Sequence, residues 1–315
     1  MGGFKTCKTS QLSLTEKKEI CDLFYHGFHV KKTIEHFERE FTKTCKGYAY
    51  HCVYKEYDHI CASFCIVPYE YYVNGKKVLF GLSVDTVVTP EAKLGPFGIA
   101  DMAAATEALA EQDGCSVLYG FPNDNFYNYN IEILERNEVG ILDFYLVPFA
   151  PGKLKESLSF FNFIRWFTIA FLYGCKVFSS PKEITFAVEK DDSDIYRKGR
   201  YDSRHHCVKT DNGMAIYTLY EESFGTVAYI VDINPVSAKN LFSAFLAVAF
   251  EVKNHAGIIA YPSGKLPFGN IIRLPHRFLP RKLHLVASGM NGHDLPETCK
   301  EMHNWKINLS DFDVR

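Results

Sequence analysis

The part of the sequence that most constrains the fold runs from residue 82 to residue 123, where two strand patterns flank a helix pattern. Residues 82–89 read as a strand that ends at Pro90. An alanine-rich helix pattern follows at residues 99–112, and Gly114 supplies its stop signal. Residues 115–121 are almost wholly apolar, which is typical of a strand buried on both faces of a sheet. This segment therefore predicts an α/β arrangement in which helices cover a sheet.

The residues before this segment predict helices and then antiparallel strands. Apolar side chains recur at helical spacing over residues 15–42, and Gly27 marks a break. Strand patterns rich in Tyr, Val and Ile begin near residue 47. Asn74-Gly75 is a strong hairpin signal. It joins residues 70–73 to residues 78–89, so three or four antiparallel strands precede the loop that follows Pro90.

The second half repeats the order of the first half. A strand pattern at residues 226–233 is followed by Pro235, a helix that Ser237 caps, and a buried strand at residues 257–262. We interpret this repeat as an internal duplication. A boundary near Pro151 gives two predicted domains, residues 1–150 and 151–315. Residues 304–315 alternate in polarity and predict a last strand anchored by Trp305.

Composition excludes some functions and leaves others open. The 35 Lys and Arg residues nearly balance the 37 Asp and Glu residues, so nothing favours a nucleic-acid partner. The 10 cysteines form no C-x-x-C pair, and we expect buried thiols in a reducing cytoplasm and no metal site. Residues 1–20 are polar, so no signal peptide is expected.

One aromatic segment resembles a membrane segment but is short and polar. Residues 158–173 contain Ser159, Asn162, Arg165 and Thr168, which step three residues at a time along one half of a helix. We expect no membrane span and predict a helix between the domains whose aromatic half is buried. Contact with a membrane surface is the alternative, although the polar half is poor in lysine and arginine.

The loop after Pro90 has the layout of an anion-binding site. A loop that enters a helix N-terminus offers backbone N–H groups to a pyrophosphate. The segment resembles the acyl-CoA site of GNAT acyltransferases, whose loop reads Val, x, Pro, two residues, Arg or Gln, Gly, x, Gly, Ile or Phe, Gly. The residues that carry the resemblance are Val84-Asp85-Thr86 before the loop, Val88, Pro90 and Lys93 at its start, Phe97 and Gly98 at its end, and Gly120-Phe121-Pro122-Asn123 after the next strand.

The loop departs from the family pattern at three positions. Lys93 stands in place of Arg or Gln, Leu94 in place of the first Gly, and Pro96 in place of the second. Proline has no N–H to donate, and leucine disfavours a positive φ. The resemblance still implies acetyl-CoA as the donor and no metal. The residues expected to bind the donor are Val87, Val88, Thr89, Lys93, Leu94, Gly95, Phe97, Gly98 and Asn123.

The resemblance also directs attention to three side chains for proton transfer. Arg136 occupies the position where the family often has a tyrosine acid, so Tyr127 or Tyr129 is the replacement candidate. Both tyrosines could equally form a pocket wall. Asp85 is the candidate base for the acceptor amine, and a structural role as a hydrogen-bond acceptor is the alternative.

These observations predict a GNAT-like fold, a mixed and mostly antiparallel sheet flanked by helices and duplicated along the chain. The predicted activity is transfer of an acetyl group to an amine of a small molecule or amino sugar. A non-catalytic binding protein of the same shape is the first alternative. An acyltransferase-like enzyme acting on nucleic acid is the second, supported only by the basic residues between 273 and 282.

Overall fold

The computed structural model describes residues 2–95, 97–253, 255–279, 281–290 and 292–312. After a first strand that the sequence analysis did not predict, the first half alternates helices and strands in the predicted order. Ser13 caps the first helix, and the break falls after Phe28, close to Gly27. The elements are β1 (Gly3–Lys8), α1 (Leu14–Phe28), α2 (Ile34–Thr42), β2 (Tyr50–Glu56), β3 (His59–Val73), β4 (Lys76–Val88), α3 (Gly98–Gln112), β5 (Cys115–Gly120), α4 (Asp124–Glu132), β6 (Asn137–Ile141) and β7 (Asp143–Pro148).

The second half contains a long helix, a short strand and a second strand–helix–strand unit. The side chain of Ser237 accepts a hydrogen bond from the Asn240 amide, which confirms the predicted cap. The elements are α5 (Ile164–Phe178), β8 (Val188–Lys190), α6 (Asp194–Arg200), β9 (His206–Thr210), β10 (Gly213–Glu222), β11 (Gly225–Asn234), α7 (Ala238–Val252), β12 (Ile258–Ser263), β13 (Arg273–Leu274), β14 (His284–Gly289) and β15 (Trp305–Lys306).

The strands form two mixed, mostly antiparallel sheets. In the first sheet the order is β1-β2-β3-β4-β5-β14-β6, and β8 pairs with both β3 and β15. Within it β4 and β5 are parallel, as their connection through α3 requires. The order in the second sheet is β13-β7-β12-β11-β10-β9. There β11 and β12 are the parallel pair, and α7 connects them. The two sheets thus repeat one pattern, which matches the duplicated GNAT-like fold predicted from the sequence.

Each half of the chain contributes a strand to the sheet of the other half. Strand β7 precedes Pro151 but pairs with β12 and β13 in the second sheet. Strand β14 lies late in the chain but pairs with β5 and β6 in the first sheet. A boundary near residue 150 would therefore not separate the two sheets, because each sheet contains a strand from the other side of it. The division into residues 1–150 and 151–315 stays a proposal.

The aromatic helix is the main correction to the sequence-based expectations. Its polar half faces the protein: the Thr168 hydroxyl donates to the carbonyl of Pro148 at 2.7 Å, and the Asn162 side chain accepts from the Gly152 amide at 2.9 Å. The aromatic half faces outward, and Phe167 and Phe178 are 68% and 92% exposed. The prediction that this half is buried is wrong, because the side of α5 that packs on the second sheet's core carries Leu172, Ile169 and Cys175 beside Thr168.

The C-terminal segment is only partly a strand. Within the described residues, β15 is two residues long and pairs with β8. Trp305 is fully buried and its indole N–H donates to the Cys299 carbonyl at 3.0 Å, as expected of an anchor. Residues 308–312 instead form a polar turn between the sheets, and the end of the predicted strand, residues 313–315, lies outside the described residues.

Candidate functional site

The parallel strands β4 and β5 separate at one end and open a cleft. Their last paired residues are Ser83 and Gly120. Strand β4 then continues through a bulge in which Asp85 has a φ of 51°, and β5 turns away toward α4. The cleft between them has a cavity volume of about 130 Å³ and is partly open to solvent. Its walls include Leu82, Ser83, Val84, Asp85 and Thr86 from β4, and Gly120, Phe121, Pro122 and Asn123 from the end of β5.

The loop between β4 and α3 leaves the helix N-terminus without a side-chain cap. Phe97 stands at the N-cap position and makes no capping hydrogen bond through its side chain. An N-terminus of this kind attracts anions, because its first amides point outward and the helix dipole adds positive potential. The backbone amide of Lys93 donates to the Glu56 carboxylate at 2.7 Å, which ties the loop to β2.

The structure explains how the loop tolerates Leu94. Gly95, not Leu94, takes the positive φ of 75°. The Leu94 side chain packs inward against the core beneath α3. It fits there because Gly98 has no Cβ, and a Cβ at Gly98 would lie 2.2 Å from Leu94 Cγ. The loop therefore keeps a turn without the first family glycine, while Pro96 lies outside the described residues.

Asp85 belongs to a buried group of three charges. Lys32 lies between two carboxylates, with Glu40 at 2.7 Å and Asp85 in a shorter contact. Their side chains are 3% to 4% exposed. Lys32 also lies over the Phe24 ring, 4.4 Å from its centroid. Two carboxylates share one cation, so one carboxylate can accept a proton while Lys32 keeps an ionised partner. Of the two, Asp85 lines the cleft.

The two candidate tyrosines lie on different sides of α4. Burial and a hydrogen bond to Glu138 raise the pKa of Tyr127 to about 12, and its ring lies 4.0 Å from that of His284. Burial also raises the pKa of Tyr129, whose hydroxyl meets the backbone of Ala100 in the first turn of α3. Both phenols are thus protonated near neutral pH, but neither belongs to the residues that line the cleft.

Of the residues expected to bind the donor, Val87, Val88 and Thr89 serve the sheet and the core, whereas Asn123 lines the cleft. Val87 is buried in the core and Val88 packs beneath α3, so these two contribute shape and backbone atoms. The Thr89 amide donates to the Cys61 carbonyl at 2.9 Å and so continues the β3–β4 pairing. Asn123 caps α4, with its side chain accepting from the Phe126 amide at 3.0 Å, and lines the cleft.

Sequence reasoning missed the cationic side of the cleft. Arg136 is buried, donates to Asn130 at 2.9 Å, and lies 3.9 Å from where a Cβ of Gly120 would be. Arg281 and Lys282 line the mouth of the cleft. The run of basic residues near 273–282 was the available signal. In the structure these basic residues lie in two places: Arg281 and Lys282 line the cleft, whereas Arg273 and His276 pair with Asp143.

Two further chemistries receive no support in the described part of the chain. It contains no group of three or more His, Cys, Asp and Glu side chains that could hold a metal ion. All ten cysteines are free, and burial raises the pKa of Cys65, Cys115 and others. His205 contacts Asp202 at 3.0 Å, a local contact of the turn before β9.

The two sheets, the strand split and the uncapped helix are features of a GNAT-like fold. No protein-family model and no curated protein sequence matches the chain. Solved structures do match it. A probable N-acyltransferase from Enterococcus faecalis V583 aligns with a TM-score of 0.58 and 10% identity, covering 91% of this chain and 73% of that chain.

Two other similar structures extend the comparison. A GCN5-related N-acetyltransferase from Anabaena variabilis has a TM-score of 0.57 at 12% identity and covers 91% of this chain and 72% of its own. Saccharomyces cerevisiae N-myristoyltransferase with bound myristoyl-CoA has a TM-score of 0.52 at 10% identity, with 90% and 82% covered. At these identities the comparisons show the fold.

Proposed function

We propose that this protein transfers an acyl group from acyl-CoA to an amine. The observation that carries the proposal is the β4–β5 split, which opens into a cleft lined in part by Phe126 and Asn130 of α4. Tyr129 of the same helix meets the backbone of Ala100, in the first turn of the uncapped helix α3. The helix N-terminus binds the pyrophosphate. The pantetheine arm lies along the open edge of β4, and the thioester lies near Ser83 and Gly120. Acetyl-CoA is the first candidate donor, in keeping with a cytoplasmic location.

The residues of the cleft provide the proton transfers that the reaction needs. The amine nitrogen attacks the thioester carbon, the C–S bond breaks, and the amine loses a proton. Asp85 accepts that proton, while Glu40 keeps Lys32 paired. Arg136 stabilises negative charge that develops near the end of β5. The CoA thiolate then takes a proton from solvent.

The acceptor is proposed to be a small molecule or an amino sugar. The cleft is lined by Phe24, Phe28 and Phe126 on one side and by Arg281 and Lys282 at its mouth. Aromatic walls suit a sugar ring or an apolar chain, and the two cations suit an acceptor that carries an anionic group. One similar structure holds myristoyl-CoA, so the length of the acyl chain on the donor is to be measured by comparing donors.

Calorimetry tests the proposal directly. We expect CoA and acetyl-CoA to bind with micromolar affinity, and a comparison with myristoyl-CoA measures the preference for chain length. A native mass spectrum of the purified protein provides an independent readout of retained CoA. If neither CoA nor acetyl-CoA binds at about millimolar concentration, which corresponds to only about 4 kcal/mol, the proposal fails.

A non-catalytic protein of the same fold is the second candidate, and one contact favours it. The Tyr129 hydroxyl lies at the Ala100 backbone, where it competes with a pyrophosphate for the start of α3. Tyr129→Phe distinguishes the two candidates. If Tyr129 blocks the site, the wild type does not bind CoA and the variant does. If the site binds donors as proposed, the wild type binds CoA without this change.

A further inference from the structure

The second half of the molecule carries a continuous aromatic surface with no cover in the described structure. It consists of the segment Glu156–Phe178, which by length and composition alone could cross a membrane. Only 11% of the most apolar stretch of this segment is buried inside the protein. We call its outward side the aromatic face. Its exposed members are Phe160, Phe161, Phe163, Trp166, Phe167, Phe171, Tyr173, Val177 and Phe178, and Phe250 of α7 lies beside it.

Helix α5 differs from an ordinary surface helix because it presents apolar side chains on both sides: Leu172 is fully buried in the core of the second sheet, and Phe167 is exposed. A surface helix turns its apolar side to the core and its polar side to water. Here Thr168 and Asn162 bond to the protein, while Phe167 and Phe178 point away from it. Apolar patches of this size on soluble proteins usually mark a site of interaction with a protein or a membrane.

The geometry argues against a membrane span. Helix α5 packs along α7 and β7, and its Thr168 hydroxyl donates to the Pro148 carbonyl. The helix therefore cannot leave the domain without breaking these contacts. The helix can lie in a surface but cannot cross it.

The charges around the aromatic face identify the kind of surface. Exposed lysines precede it at Lys153 and Lys155, follow it at Lys182, and border it at Lys209. The acidic residues beside them are Glu156, Glu183 and Asp211, so the border carries both signs with a net positive charge. Trp and Tyr side chains such as Trp166 and Tyr173 prefer the boundary between headgroups and acyl chains. Apolar side chains with a net positive border suit an anionic lipid surface.

A second copy of the chain fits this surface less well. In a two-fold dimer, an antiparallel pair of α5 helices would place residues 153–156 of one copy against residues 182–183 of the other, and each of these groups carries both signs. Such a dimer would still bring two faces of net positive charge together, whereas an anionic lipid surface attracts that charge. We propose that the aromatic face lies in the headgroup–acyl boundary of an anionic bilayer and holds the protein on a membrane surface.

The two tryptophans provide a built-in reporter. Trp305 is fully buried and Trp166 is 61% exposed, so a lipid-induced change in emission reports Trp166. We expect a blue shift, and cosedimentation, with vesicles of phosphatidylcholine and phosphatidylglycerol. Vesicles of phosphatidylcholine alone should bind more weakly, because the lysines then lack an anionic partner.

A triple variant and a matched control locate the contact. W166S/F167S/F178S removes three exposed side chains and should lower vesicle affinity by about tenfold or more without lowering the melting temperature. The control L14S/I195S changes exposed apolar residues of α1 and α6 and should bind like the wild type. For Trp166, W166F should bind vesicles but lose the blue shift.

Three outcomes would overturn the proposal. The first is a wild type that binds neither kind of vesicle, and the second is a triple variant that binds as well as the wild type. The third is a lipid-free dimer in sedimentation equilibrium that the triple variant dissociates, because the aromatic face would then bind a second copy. None of these results depends on CoA binding, so the proposal stands or falls separately from the proposed function.

Discussion

At the scale of single residues, the charge balance around Lys32 decides how the cleft handles a proton. Asp85 and Glu40 both contact this lysine and are equally buried, but only Asp85 belongs to the walls of the cleft. The bulge that gives Asp85 its φ of 51° turns the residue out of the regular strand register. The sequence marked Asp85 as a candidate, but it could not show the lysine that accompanies it, because Lys32 is 53 residues away in the chain.

Asp85→Asn should lower kcat by about a hundredfold to ten-thousandfold, because the acceptor amine loses its base. Tyr127→Phe and Tyr129→Phe should cost less, since CoA thiol is a fair leaving group and neither hydroxyl lines the cleft. Turnover is measured with a common acceptor across about pH 6 to 9. A wild-type rate for Asp85→Asn throughout this range would make Asp85 a structural residue.

Glu40→Gln is the matched control for this prediction. It also removes one carboxylate from Lys32, so its effect on stability should resemble that of Asp85→Asn. Because Glu40 is absent from the cleft walls, its turnover should stay close to that of the wild type. If Asp85→Asn and Glu40→Gln lose turnover equally, the loss comes from the disturbed Lys32 or from misfolding and not from a missing base.

Gly95→Ala tests the loop that replaces the family glycines. An alanine at a φ of 75° costs about 1–2 kcal/mol, so the loop should change shape and CoA affinity should fall. Gly47→Ala is the control, because Gly47 has a φ of 76° and, like Gly95, open space where a Cβ would be. Calorimetry and chemical denaturation of both variants separate the two effects. A Gly95→Ala protein that binds CoA normally would show that this turn does not shape the anion site.

At the scale of elements, most helix and strand boundaries could be predicted from local sequence signals, and the structure agrees with them. The Asn74-Gly75 hairpin, the Ser237 cap and the apolar strand β5 are set by residues close together in sequence. The direction of α5 was mispredicted for a different reason. Helical spacing separates a polar half from an aromatic half, but it cannot show which half meets the protein when a few hydrogen bonds hold the polar half in place.

The same limit applies to the site. The strand–loop–helix–strand order of β4, α3 and β5 was predictable, since these elements are contiguous in sequence. Arg281 and Lys282 were not assigned to the cleft, because they precede β14, which pairs with β5 from more than a hundred residues away. Only the order of strands in the sheet brings them to the cleft.

Helix α1 is fixed to the first sheet by a charge that should make stability depend on pH. Burial opposes the ionised form of Glu16, but hydrogen bonds from Lys5 and Lys55 outweigh it and lower its pKa to about 2. A lowered pKa adds stability above the unfolded value of 4.5, and this contribution is lost as the pH falls toward about 2.

Glu16→Gln should therefore reduce the free energy of unfolding by about 1–3 kcal/mol near pH 7, and the difference should shrink below about pH 4.5. Glutamine preserves the capping box with Ser13, so the variant isolates the charge. Glu19→Gln on the same helix is the control, because Glu19 faces only the exposed His59 at 3.4 Å. A difference that does not vary with pH would refute the ionic explanation.

At the scale of the whole molecule, a buried polar cluster joins both sheets to the C-terminal segment. Lys190 of β8 lies 3.1 Å from Asp311 and 3.9 Å from Asp232 of β11. Asn308 donates to Asp232 at 2.7 Å, and Tyr71 of β3 donates to Asp311 at 2.8 Å. Burial opposes the charge of Lys190, but the two carboxylates outweigh it and raise its pKa. We predict that this cluster, together with the exchanged strands β7 and β14, makes the two sheets unfold as one cooperative unit.

Lys190→Met should lower the free energy of unfolding by about 3–5 kcal/mol, because it leaves two buried carboxylates without their cation. The loss should appear in both sheets at once, so hydrogen exchange of β4 and β11 should accelerate together. Lys77→Met is the control: Lys77 also pairs with two carboxylates, Glu70 and Asp191, but in solvent, and its loss should change little. Faster exchange confined to one sheet would show instead that the halves unfold independently, and limited proteolysis near Pro151 would then release a stable half.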